Sequence, residues 1–81
     1  MTAQDEIMRE VMTLAKLHPS EVMDGDPGNP PDVDFSNGKD GVTIHCHRGK
    51  VWATRFGSGR GTIRVASAGS ASALINQIFA P

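Results

Sequence analysis

The chain has 81 residues, 38% of them hydrophobic, a single cysteine and a formal net charge of −1. That length allows one domain with a modest core and no second one, and one cysteine excludes an internal disulfide. No apolar run approaches the roughly 20 residues of a membrane helix, and Asp5, Glu6, Arg9, Glu10 and Lys16 break up any apolar signal core. A reduced, cytoplasmic protein complete from Met1 is therefore expected, with Cys46 as a small buried thiol.

The first element is a helix over residues 3–17. Thr2 is placed to cap it, and Asp5 and Glu6 fall in the first turn, where the helix dipole favours anions. Ile7, Val11, Leu14 and Ala15 recur at helical spacing, with Met8 and Met12 widening the stripe. Pro19 stops it, because the residue before a proline avoids helical backbone.

Residues 18–41 hold Pro19, Pro27, Pro30 and Pro31 together with Gly25, Gly28, Gly38 and Gly41. This reads as a long irregular connection rich in proline, glycine and aspartate. Ser20–Met23 is expected as a short helical turn. Val33 and Phe35 are expected as a brief anchor into the core or as a fourth, edge strand.

Composition then changes. Val42–His47 and Thr62–Ala66 alternate apolar and polar residues, and Val51–Phe56 lies between them. Arg48-Gly49-Lys50 and Gly57-Ser58-Gly59-Arg60-Gly61 supply the turns. Residues 42–66 thus predict a three-stranded antiparallel meander. Ser67 or Ser70 then caps a last helix over residues 69–79, with Leu74, Ile75, Ile78 and Phe79 on one face. The expected fold is a single α+β domain over 1–81, ordered helix, meander, helix. Each helix has one apolar stripe and the sheet one apolar face, so both helices are expected on that face. Ile44, Cys46, Ile63 and Val65 would then meet Ile7, Val11, Leu74 and Ile78.

Trp52 depends on the first hairpin turn. A two-residue loop puts Trp52, Thr54 and Phe56 on the side of His45 and His47. A three-residue loop, His47-Arg48-Gly49, puts Trp52 on the core side. A small core needs its large rings, so burial is the expectation. The exposed alternative makes Trp52 a binding anchor flanked by histidines.

No motif frames a catalytic site. Gly57, Gly59 and Gly61 follow a strand, but another strand follows them where a nucleotide fold needs a helix, so they read as a hairpin turn. His45 and His47 share a strand face, yet no further ligand has metal-site spacing. Asp24 and Asp26, like Asp32 and Asp34, lack the rest of a calcium loop. Cys46 points away from both adjacent histidines, which rules out a dyad within the strand. No enzyme activity, metal or cofactor is expected.

Charge is the strongest signal. Residues 1–40 contain all nine acids and three bases, a net of −6, whereas residues 41–81 contain five bases and no acid, a net of +5. Such asymmetry bears on partners. The candidate partner-binding residues are the cations Arg48, Lys50, Arg60 and Arg64, the flanking His45 and His47, and the acids Asp24, Asp26, Asp32 and Asp34 of an opposite pole. The alternative is that the two halves neutralise each other in space.

The expected order of helix, three strands and helix resembles that of the double-stranded RNA-binding domain, which implies phosphate contacts from a basic last helix. Residues 67–79 contain no basic residue, so that surface is missing. The leading expectation is therefore a non-enzymatic protein that binds a larger protein or ribonucleoprotein complex, with charge steering its encounter. In size and style alone it is similar to phage-encoded inhibitors of bacterial machines, such as anti-CRISPR proteins. A nucleic-acid-binding module using the basic strand and turn residues is the alternative.

Overall fold

The computed structural model describes residues 2–81. Helix α1 spans Ala3–Ala15 and starts on a capping box. The Asp5 amide donates to Thr2 Oγ1 at 3.1 Å, and the Thr2 amide donates to Asp5 Oδ2 at 3.1 Å. Two orphan donors of the first turn are thereby satisfied. Ile7, Met8, Val11 and Leu14 are buried, as the helical spacing predicts. The chain turns at Lys16 to Pro19, where the His18 amide donates to the Leu14 carbonyl.

Five strands follow: β1 (Ser20–Met23), β2 (Asp32–Ser36), β3 (Gly41–His47), β4 (Lys50–Phe56) and β5 (Gly61–Val65). They form one antiparallel sheet in chain order, with β1 and β5 as its edges. Helix α2, Ala68–Ile78, closes the chain, and its N-cap Ser67 accepts from the Ser70 amide.

Two expectations for the 18–41 segment are corrected here. Ser20–Met23 is a strand and not a helical turn, and the sheet has five strands where three, or four, were expected. The strand state of β1 comes from its partner. Ser20 lies opposite Phe35 and Val22 opposite Val33, so the ladder satisfies backbone groups that a single helical turn would leave open. Strand β2 is interior, flanked by β1 and β3, and Val33 and Phe35 are fully buried.

One cluster of buried side chains joins the sheet to both helices. It takes Val33, Phe35, Val42, Ile44, Cys46, Val51, Ala53 and Val65 from alternate strand positions. To these it adds the four buried residues of α1 and Ala71, Ile75 and Ile78 of α2. Leu74 and Phe79 pack partly buried at its margin. Ile63 departs from expectation: it is 45% exposed. It sits on the outermost strand, with Ala53 on one side and, among the described residues, no strand on the other.

Trp52 also departs from expectation. The β3–β4 loop is the two-residue Arg48-Gly49, with φ of 53° and 77°, flanked by the pair His47–Lys50. Positive φ at both positions is the type I′ geometry that matches strand twist. In this register Trp52 pairs with His45 and falls on the side opposite Ala53 and Val51. It is half-buried rather than in the core. Phe35 is the large ring that fills the core instead.

Candidate functional site: the polar face of the sheet

The residues that alternate with the core positions make up a second face, and none of them is buried from β1 through β5 apart from Gly41. Two rows cross it. One runs from Glu21 through Asp34, Thr43 and Thr54 to Thr62. Its members bond to one another: the Thr43 hydroxyl donates to Asp34 Oδ1 at 3.3 Å, and the Thr54 and Thr62 hydroxyls lie 3.0 Å apart. The other row runs His45, Trp52, Arg64. Cross-strand neighbours on one face stand about 5 Å apart, so these side chains form one continuous surface.

The face is electrically graded. Glu21, Asp32 and Asp34 lie on β1 and β2, histidines on β3, Lys50 on β4 and Arg64 on β5. Trp52 sits toward the basic side. His45 Nε2 is buried without a hydrogen-bond partner, which leaves one polar atom beside Trp52 unsatisfied.

The two ends of the sheet carry the other candidate residues. At one end the β1–β2 connection, with Asp24 and Asp26, meets the β3–β4 turn: Asp26 Oδ2 lies 3.4 Å from His47 Nδ1. Here the acidic and basic halves of the chain do come together, beside Arg48 and Lys50. At the opposite end lies the β4–β5 turn with Arg60. The two turns are joined by β4, whose seven residues, Lys50–Phe56, extend about 20 Å. Arg48 and Lys50 are therefore separated from Arg60, while Arg64 lies on the face between them. The four cations do not line one continuous rim.

The glycine-rich turn is already occupied by the chain's own carboxylate. The Ser58 amide donates to Asp40 Oδ1 at 2.6 Å, and Gly57 lies so close to Asp40 that a Cβ there would collide with it. Hydrogen bonds from the Ser58 backbone and side chain hold the Asp40 carboxyl below its ordinary pKa. A cleft of about 210 Å³ beside this turn is lined by Asp40, Arg55, Phe56, Ser58, Gln77 and Ile78. Among the described residues, no three histidine, cysteine or acidic side chains converge at metal-binding distance, and no helix is long and apolar enough to cross a membrane.

Sequence reasoning placed His45, Arg64, Asp32 and Asp34 among the candidate residues but omitted Glu21 and the threonine row. The signal was the alternation of Thr43 and Thr54 with buried residues inside β3 and β4. It becomes legible only once β1 and β2 extend the sheet. Comparison of the chain with protein-family models, curated proteins and solved structures gives no match.

Proposed function

We propose that the chain is a non-enzymatic, cytoplasmic binding protein that docks onto a larger protein or ribonucleoprotein partner by protein–protein contact, through the polar face of its sheet. On this reading both helices lie on the core face and leave the other face open, with Trp52 as the anchor. The observation that carries it is Trp52 itself: half-buried, off the core side, and paired with His45 on one side and Arg64 on the other. Tryptophan and arginine are the residues most enriched at the energetic centres of interfaces. The threonine ladder and the acid-to-base gradient across the face supply polar contacts and a fixed orientation for the partner.

Two observations favour protein over nucleic acid as the partner. The face that holds Arg64 also holds Glu21, Asp32 and Asp34, which repel phosphate. The other candidate cations are split between two ends of the sheet, Arg48 and Lys50 at the end where Asp26 meets His47 and Arg60 at the opposite end.

Affinity capture from a lysate of the source cells with and without nuclease treatment, with wild type and Trp52→Ala side by side, tests this. Wild type is expected to retain a defined protein that Trp52→Ala loses by about thirtyfold or more, the scale of a hot-spot residue, with both variants folded by circular dichroism. Equal retention by Trp52→Ala contradicts the proposed face. Retention that nuclease abolishes supports the nucleic-acid alternative.

A further inference from the structure

The outermost strand, β5, combines three features. It pairs with β4 alone and ends the sheet, so one side of its backbone has no strand partner among the described residues. All of its residues except Val65 are exposed, including the apolar Ile63. Its charges are all positive: Arg64 within it and Arg60 just before it. The opposite edge, β1, differs. It has four residues, follows Pro19 and carries Glu21, with Asp24 next to its end. Proline, brevity and charge are the usual devices that discourage strand addition.

We propose that β5 is a strand-addition site for an extended acidic segment of a partner protein, an inference that rests on the protein-binding reading above and names part of what the partner presents. Strand addition takes its affinity from main-chain hydrogen bonds and its selectivity from alternate side chains. The pleat sets that alternation here. Thr62 and Arg64 lie on the face that holds Trp52, while Ile63 and Val65 lie on the core side. An added strand therefore places acidic residues beside Arg60 and Arg64, and apolar residues beside Ile63. Charge complementarity selects this occupant. A second copy adding through its own β5 would set Arg64 near Arg64, and a basic segment would be repelled along the whole edge.

The test uses a capped heptapeptide of alternating aspartate and valine, titrated into the isotope-labelled full chain and followed by amide NMR. The expected shifts fall on Gly61–Val65 and shrink with added salt, since exposed charges are screened within about 8–10 Å. They vanish when lysine replaces aspartate in the peptide, and the apparent affinity falls at least tenfold in the doubly reversed variant R60E/R64E. Ile63→Thr weakens binding without removing its salt dependence. Three results overturn the inference: shifts confined to Ser20–Met23, equal binding of the lysine peptide, or concentration-dependent changes at β5 without peptide, which assign the edge to a second copy. The Trp52→Ala variant separates this inference from the reading beneath it. Peptide addition at β5 persists in Trp52→Ala if the edge acts on its own. A silent edge alongside Trp52-dependent partner capture removes the strand-addition site and leaves the binding face standing.

Discussion

The backbone amide of Ser58 donates to Oδ1 of Asp40 at 2.6 Å, and this bond ties the β4–β5 turn to the β2–β3 turn eighteen residues earlier. Asn37 completes the second of these turns. Its side-chain oxygen accepts from the amides of Lys39 and Asp40, and its side-chain nitrogen donates to the Ile78 carbonyl near the end of α2. One end of the sheet is thus held by a short chain of polar contacts reaching from the glycine-rich turn to the last helix.

Because Ser58 holds the Asp40 carboxyl below its ordinary value of 3.8, the clamp is pH-dependent with a definite sign. Its contribution to stability is fully present above that ordinary value and is lost as pH falls through the lower folded one. The Ser58 amide resonance should therefore titrate below the usual aspartate range, and Asp40→Asn should remove that titration and speed Ser58 amide exchange. A Ser58 resonance titrating at the ordinary value would show that the bond does not form.

Arg48 occupies the first position of the β3–β4 turn with φ of 53°, a conformation that costs an ordinary side chain roughly 1–2 kcal/mol. Asparagine tolerates it far better, and Asn-Gly is the preferred type I′ pair. Arg48→Asn is expected to stabilise the fold by up to about 1 kcal/mol, read as a higher urea midpoint with an unchanged slope. A lower midpoint would mean that Arg48 makes a compensating contact in solution.

That same turn explains why Trp52 was placed on the wrong side by sequence reasoning. An arginine gives no sign that it will adopt positive φ, so the register that buries the large ring looked better than the one the backbone takes. The two helices and strands β3, β4 and β5 were legible because their apolar periodicity is internal to each segment. Strand β1 was not: Ser-Glu-Val-Met has one β-branched residue and gains its strand character from Val33 and Phe35 across the ladder. The charge separation was plain in the sequence, but its layout was not. Arg48 and Arg60 look close along the chain, yet they sit at opposite ends of β4.

Cys46 lies in the core at 1% exposure. Burial pushes its thiol pKa up, and Asp32 adds to that. The thiol therefore stays neutral in the fold. Its contribution to stability is present below the ordinary thiol value of 9.0 and is lost as pH rises through the higher folded one. At neutral pH, iodoacetamide should modify Cys46 only as fast as the protein unfolds, and subdenaturing urea should accelerate the reaction. Modification of the native protein at the rate of a free thiol would contradict the packing of β3 against the helices.

On the proposed reading, Trp52 lies on an open sheet face and anchors a protein partner. As the only tryptophan of the chain, it can be replaced by fluorotryptophan as a single fluorine reporter, with the partner left unlabelled. Fluorine NMR in light and heavy water then reads its solvent contact directly. The free protein should show a solvent isotope shift, as a partly exposed indole does. Addition of the captured partner should move the resonance and abolish that isotope shift. A fluorine resonance insensitive to solvent in the free protein would place Trp52 in the core. One that is solvent-sensitive but unchanged by a saturating partner would show that the binding face lies elsewhere.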